Sequence, residues 1–453
     1  SLRMHPKNDS IGKFNQFTLL KQNRFSPFFV TQFLGAFNDN IFRNGLIILL
    51  TFKGIEVFGL NASQIANVAG ALFILPYFLF SAIAGQLADK LEKSFLIRRI
   101  KLLEIALMIF ATFALYTKNY PSLLFILFLM GFQSSLFGPV KYAYIPQKLT
   151  SNELIGGNAL VESGTYIAII LGLIVGGIAV SMGQNNDYPL AICLLLISIL
   201  GYASSRKIPK TEATDPSLKI NWNILSEIFK IMSFSKEKKE VFLCIIGISW
   251  FWFFGSAITL QIPAYTLNVL SGNETVTTLL LAAFAIGIGI GSLVCEKLSK
   301  NRVEIGIVPI GAVGLSLFTL DLYFSTNTNN LAQLMNVEIF ITQKDNWRII
   351  FDLIMIGACG GIFSVPFYAT IQEQANIKYL SRIIAANNVL NALFMVSASL
   401  LAIISLTYGM SILEFFALIS GLNVMLMLFM HNQSSMFSDR FLRLFKMIKQ
   451  GSL

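Results

Sequence analysis

The stretch that decides the fold is Phe25-Ser-Pro-Phe-Phe-Val-Thr-Gln-Phe-Leu-Gly-Ala-Phe-Asn38-Asp39-Asn40-Ile-Phe-Arg43-Asn44-Gly-Leu-Ile-Ile-Leu-Leu-Thr-Phe52. It is longer than the roughly 20 residues that cross a bilayer as a helix. Its middle nevertheless carries Asn38, Asp39, Asn40, Arg43 and Asn44. A carboxylate or guanidinium at mid-membrane costs roughly 2.5–3.5 kcal/mol on insertion scales, so such groups persist where they face one another or a polar cavity. Asp39 and Arg43 are four apart, share one helix face and are spaced to pair directly. One reading is that this face lines a solute pathway. The other is that the pair neutralises itself while joining helices.

The rest of the chain has the same character. Of its 453 residues 55% are apolar and only 13% charged, where a soluble protein carries about 25% charged residues. An all-α membrane protein is expected. A net charge of +10 would suit nucleic acid, but nearly all Lys and Arg residues fall in alternate gaps between apolar stretches, as the positive-inside rule requires. No nucleic-acid partner is expected. Cys193, Cys244, Cys295 and Cys359 each lie inside an apolar run without paired spacing, and the only histidines are His5 and His431, so neither metal nor cofactor is expected. The first apolar stretch is too long and too polar at its centre to read as a cleavable signal.

Twelve apolar stretches follow in order: 25–52, 64–88, 97–117, 121–145, 153–181, 188–205, 241–270, 275–298, 303–325, 347–374, 379–408 and 411–431. Residues 4–24 are polar and basic, and a basic loop holding Lys90, Lys93, Arg98, Arg99 and Lys101 follows the second stretch. Gly172 and Gly176 form a small-xxx-small pair that lets helix backbones approach closely. The chain divides into a six-helix half (1–205), a linker (206–240), a second six-helix half (241–431) and a basic tail (432–453). Trp222, Ile224, Leu225, Ile228, Phe229 and Ile231 give the linker an amphipathic helix lying along the membrane surface. Phe437, Phe441, Leu442, Leu444 and Phe445 among Arg440, Arg443, Lys446 and Lys449 give the tail another. The gaps assigned to the outer side hold only Lys53, Lys118, Lys344 and Arg348. Both termini are therefore expected in the cytoplasm.

The two halves repeat each other. Gly85-Gln-Leu-Ala-Asp89-Lys90-Leu91 matches Gly291-Ser-Leu-Val-Cys-Glu-Lys-Leu298, and Pro139-Val-Lys141-Tyr142 with Gly156-Gly-Asn-Ala-Leu160 matches Pro366-Phe-Tyr-Ala369 with Ala385-Ala-Asn387-Asn388-Val-Leu390. Parallel six-helix halves with a substrate site between them at mid-bilayer are a transporter plan.

Gly85-x-Leu-Ala-Asp89-Lys90 resembles the loop signature of the major facilitator superfamily, although Glu92-Lys93 stands where a Gly-Arg pair is usual. The resemblance implies that Gly85, Asp89 and Lys90 help latch the halves together on the cytoplasmic side. The alternative for Asp89 is a simple loop ion pair. Gln32-Phe-Leu-Gly-Ala-Phe-Asn-Asp-Asn40, Gly138-Pro-Val-Lys-Tyr142 and Asn158-Ala-Leu-Val-Glu162 are similar to bacterial lysophospholipid transporters. Ile383-Ile-Ala-Ala-Asn-Asn-Val-Leu-Asn391-Ala-Leu-Phe-Met395 resembles the transporter domain fused to an acyltransferase in some of them. The resemblance implies import of lysophosphatidylethanolamine and lysophosphatidylglycerol from the outer to the inner leaflet of the bacterial cytoplasmic membrane. It also implies membrane lipids as surroundings, a cytoplasmic acyltransferase as partner and a monomer. A basic residue usual in the seventh helix is absent; Thr259-Leu260-Gln261 stands there.

Such a substrate has an anionic phosphate, often an ammonium, and a chain that resists leaving hydrocarbon by about 0.8 kcal/mol per CH₂. Lys141 is the candidate phosphate contact, with Asp39 for the ammonium and Asn38, Asn40 and Asn44 as hydrogen-bonding groups. Glu162 is placed to pair with Lys141 when the site is empty. Gln261, Asn387, Asn388 and Asn391 are the polar candidates of the second half. Lys141 alternatively snorkels to the surface, and the asparagines alternatively join helices. The runner-up function is a proton-coupled exporter of amphipathic small molecules or siderophores, with Asp39 and Glu162 carrying protons. An acyltransferase needs a His with an acidic residue five positions on; Ser10 follows His5 and Met436 follows His431. No enzyme is expected.

Overall fold

The computed structural model describes residues 14–450 apart from 61, 184, 185, 301, 327, 329 and 330. His5, Lys7 and Lys13 lie outside the described residues. The first part of the bundle comprises α1 (Ser26–Phe52), α2 (Ala62–Lys90), α3 (Lys93–Tyr116), α4 (Tyr120–Lys148), α5 (Leu154–Met182) and α6 (Tyr188–Ser205). A short surface helix, α7 (Ile224–Ser235), leads to α8 (Lys239–Thr259), α9 (Ile262–Asn268), α10 (Glu274–Ser299) and α11 (Val308–Ser325). The remainder is α12 (Val337–Thr342), α13 (Lys344–Gln374), α14 (Leu380–Thr407), α15 (Ile412–Gln433) and α16 (Met436–Lys449). Among the described residues ten segments are long and apolar enough to cross a membrane, α8 and α9 counting as one. The 27-residue α1 and the 24-residue α3 complete twelve; both carry charge within their length.

Two local differences from the sequence reading matter. First, α3 begins at Lys93, because the Glu92 carboxylate accepts hydrogen bonds from the backbone N–H of Ser94 and Phe95 and starts the helix there. Side-chain capping of this kind satisfies donors that the first helical turn leaves free. Arg98, Arg99 and Lys101 are therefore inside a helix and not in a loop. Second, the seventh apolar stretch is broken between Thr259 and Ile262. Pro263, which has no N–H and collides with the carbonyl four residues back, sits in the first turn of α9 and accounts for the break.

Within the first half α1 packs on α5 and α6, and α4 on α2 and α3. A Cβ on Gly172 of α5 would stand 2.5 Å from the Cβ of Asn40, and one on Gly176 would stand 3.1 Å from the Ile41 carbonyl oxygen. The small-residue pair thus brings α5 against α1 beside the polar cluster. In the second half α10 packs on α13, and α13 on α11. The halves meet along α2–α14 and α5–α10.

The connection after α6 is laced onto the end of α2. Gln86 and Asn221 exchange hydrogen bonds, the Asn221 N–H donating at 2.7 Å and Gln86 Nε2 donating to the Asn221 carbonyl at 3.0 Å. Lys90 Nζ donates to the Leu218 carbonyl at 2.8 Å. From there α7 buries Ile231 against Ala82 of α2 and Ala385 and Ala386 of α14. Trp222, Leu225 and Phe229 stay exposed. At the same end α16 buries Phe437 and Leu444 and leaves Leu442, Phe445 and Ile448 exposed. Each short helix thus buries one apolar side and exposes another.

Candidate functional site

A cavity of about 570 Å³ lies between the halves, within the range of small-molecule sites. Its deep end is lined by Lys141 and Tyr142 of α4, Glu162 of α5 and Tyr368 of α13. From there the lining extends past Asp39, Asn40 and Arg43 to Gly70, Phe73, Leu260 and Ser399, toward the end opposite α7 and α16. Every charged lining residue comes from the first half: Asp39, Arg43, Lys101, Lys141 and Glu162. The second half contributes Trp252, Ser256, Thr259, Asn388, Asn391 and apolar groups such as Met395. One wall is charged and the other is not.

The charged side chains do not form the pairs expected of them. Ser134 Oγ of α4 donates to Asp39 at 2.6 Å. Arg43 donates instead to Asn40 Oδ1 at 3.2 Å and lies 5.7 Å from the centre of the Phe73 ring. No direct Asp39–Arg43 ion pair forms, because Ser134 takes the carboxylate and the guanidinium turns toward α2. Glu162 and Lys141 are likewise not in contact. The Tyr142 hydroxyl donates to Glu162 at 2.6 Å, and the Lys141 ammonium lies 4.9 Å over the Tyr142 ring. Tyr142 stands between the two, and its ring stacks on Tyr368 at 4.5 Å. A cation over an aromatic face keeps part of its stabilisation without a counter-ion.

The other candidates divide. Asn388 and Asn391 line the cavity; Asn391 accepts from Ser249 Oγ at 2.9 Å, and Asn388 lies against Gly138. Asn387 is buried outside the lining, since one residue further round a helix is about 100° away. Asn38 of α1 is wholly buried outside the lining, and Asn44 does not line the cavity either. Gln261 is displaced by the break in the seventh stretch. It caps α9, its carbonyl accepting the Tyr265 N–H at 2.8 Å, and does not line the cavity.

Below Tyr142 the halves are in direct contact. Asn158 Nδ2 donates to Gln372 Oε1 at 2.6 Å, and Ser163 Oγ donates to the Gly289 carbonyl at 2.8 Å. At the extreme end the Asp89 carboxylate accepts from Arg382 Nε at 2.9 Å and from the backbone N–H of Ser381 and Arg382. Arg382 reaches Asp215 of the linker with its other arm at 2.9 Å. Gly85 packs so closely there that a Cβ on it would stand 2.9 Å from the Arg382 Cα. Arg382 and Asp215 escape the sequence reading because each resembles an ordinary charge at a helix end or in a linker. Lys101 and its ion-pair partner Glu104 escape it for a related reason. Lys101 reads as the last member of a basic run, although its three-residue spacing from Glu104 inside an apolar segment was a usable signal.

The sequence profile of the Major Facilitator Superfamily matches residues 28–399. The chain is 26% identical over 353 residues to the lysophospholipid transporter LplT of Photorhabdus laumondii, and 27% identical over 354 residues to that of Escherichia fergusonii. Each alignment covers 76% of this chain and 79% of the relative. Among solved structures the Escherichia coli fucose:proton symporter FucP superposes with a TM-score of 0.69 at 12% identity, covering 90% of this chain and 98% of that one. The human organic anion transporter MFSD10 superposes with a TM-score of 0.67 at 11% identity, covering 90% and 99%. Twelve membrane-length helical segments among the described residues, a closed end opposite a central cavity and the profile match agree: this chain is a multi-pass membrane transporter and belongs to the Major Facilitator Superfamily.

Proposed function

We propose that the protein is a lysophospholipid flippase working by alternating access, moving lysophosphatidylethanolamine and lysophosphatidylglycerol from the outer to the inner leaflet of a bacterial cytoplasmic membrane. The observation that carries this reading is the division of the cavity into one charged and one uncharged wall. An amphipathic lipid with a phosphate needs both. Lys141 would hold the phosphate as a point charge, Asp39 the ammonium, and Asn40, Asn388 and Asn391 the ester and hydroxyl oxygens. The acyl chain, at about 0.8 kcal/mol per CH₂ removed from hydrocarbon, would stay against the apolar seam or in lipid. The two relatives named lysophospholipid transporter LplT support the same substrate class.

The basic end that carries α7 and α16 is the cytoplasmic one in this proposal, by the positive-inside rule. The arrangement described is then outward-facing, with the Asp89–Arg382 contact as its cytoplasmic latch. Lipid binding shifts a pre-existing equilibrium toward the opposite arrangement. Asp39 and Glu162 serve the substrate and not a proton. Native mass spectrometry of the purified protein tests this: co-purified lysolipid that is lost from the D39N and K141Q variants supports it. Proton movement driven by a different amphipathic solute, with no response to lysolipid, would replace it by the exporter reading.

A further inference from the structure

Lys101 and Glu104 form an ion pair that the proposal above does not use. Both side chains are 1% exposed, and Nζ stands 2.9 Å from Oε2. Lys101 is part of the cavity wall; Glu104 lies behind it, outside the lining. Gln133 Nε2 holds the same carboxylate oxygen at 3.1 Å. The ammonium also lies 4.9 Å over the Phe137 ring and 2.5 Å from where a Cβ on Gly35 would stand. Gly35 of α1 thus leaves room for the ammonium opposite it. Packing gives no reason for such a pair, because apolar replacements of similar volume are commonly neutral or stabilising.

The charges supply a reason. Asp39, Glu104 and Glu162 oppose Arg43, Lys101 and Lys141, so the formal charge in and directly behind the wall sums to zero. A zwitterionic head group entering this site preserves the balance, whereas an anionic one leaves a negative surplus. Lys101 and Lys141, the proposed phosphate contact, line the same cavity.

We propose that Lys101 is a second phosphate contact and that Glu104, a positioning residue behind it, sets the site's preference between anionic and zwitterionic lysolipid head groups. Resting on the lysophospholipid reading, this gives the same site a charge filter. Removing the Glu104 charge leaves Lys101 uncompensated and favours the anionic lipid. Removing the Lys101 charge does the reverse.

The test is binding of lysophosphatidylglycerol and lysophosphatidylethanolamine with the same acyl chain to purified protein, measured side by side. E104Q is expected to raise the glycerol-to-ethanolamine affinity ratio about tenfold, and K101Q to lower it similarly, the equivalent of one charge interaction of about 1.4 kcal/mol. The double variant K101M/E104Q restores the charge sum and removes the contact, so its ratio returns near the parent's while both lipids bind more weakly. A purely structural pair would weaken both lipids equally in the single variants; an unchanged ratio there overturns the inference. Should neither single variant fold, a double variant that binds both lipids as tightly as the parent overturns it instead. A parent protein that binds neither lipid overturns the substrate reading and this inference together, whereas binding with an unchanged ratio overturns this inference alone.

Discussion

Asp89 at the end of α2 and Arg382 at the start of α14 are 293 residues apart in sequence and joined at 2.9 Å. Both are almost fully buried. The carboxylate also accepts two backbone N–H groups from the first turn of α14, where the helix dipole favours negative charge. Arg382 in turn holds Asp215, so three segments, two of them from opposite halves, depend on one guanidinium. Removing one partner of a buried pair typically costs roughly 3–5 kcal/mol, because the other charge stays behind uncompensated.

R382A is therefore expected to open the basic end. In a background lacking Cys193, Cys244, Cys295 and Cys359, a cysteine replacing the buried Ala385 should be modified by a water-soluble maleimide several-fold faster in R382A than in its parent. Equal rates would show that the contact does not hold this end closed.

Asp39 and Lys141 face the cavity while Gln261 caps a broken helix. D39N and K141Q should each weaken lysophosphatidylethanolamine binding about tenfold, the loss of one charge interaction near 1.4 kcal/mol. Q261A should leave it unchanged. Isothermal titration on variants of matched purity separates the three, and a large loss in Q261A alone would reverse the assignment.

What was legible in the sequence followed one rule: a charge inside an apolar run stands out. Asp39, Arg43, Lys141 and Glu162 stand out in this way, and all four line the cavity. The repeat and the glycine pair gave the bundle. Lys101 stayed hidden because Glu92 starts α3 early and turns the end of a basic loop into buried helix. Asn387 and Asn388 differ by one helical step, which the apolar pattern around them does not resolve. Pairing was the least legible. Asp39 and Arg43 have the right spacing and Lys141 and Glu162 the right charges, yet Ser134 and Tyr142, both on α4, take the carboxylates.

The linker attachment should depend on pH through Glu92. Burial works to raise this carboxyl's pKa. Hydrogen bonds from the Ser94 hydroxyl and from the backbone N–H of Thr211, Phe95 and Ser94 outweigh it, and the group lies below the ordinary glutamate value. A carboxylate depressed in the folded state contributes stability that is complete above its unfolded pKa, about 4.3, and lost as pH falls through the folded value. Amide exchange over residues 211–221, corrected for intrinsic rates, should therefore rise at acidic pH and stay low at neutral pH. E92Q should show the faster exchange at neutral pH as well; an E92Q protein with the parent's pH profile would remove Glu92 as the cause.

The contact between α1 and α5 sets where Asp39 and Asn40 stand, and two glycines of α5 allow a paired test. A Cβ on Gly172 would meet the Asn40 Cβ at 2.5 Å and the Ile41 backbone N at 3.1 Å, neither of which can give way without moving α1. Overpacking of this kind costs typically 1–3 kcal/mol. At Gly177 the nearest atom is Ile48 Cδ1 at 3.6 Å, an ordinary contact. There the dominant effect of alanine is its lower conformational entropy cost in a helix, about 0.5–1 kcal/mol in favour of the folded state. G172A should thus lower the melting temperature in detergent and weaken lysolipid binding together, because it shifts the face that carries Asp39. G177A should raise the melting temperature slightly and leave binding alone. If both substitutions moved stability in the same direction, the close approach of α5 to α1 would not be what positions the charged wall.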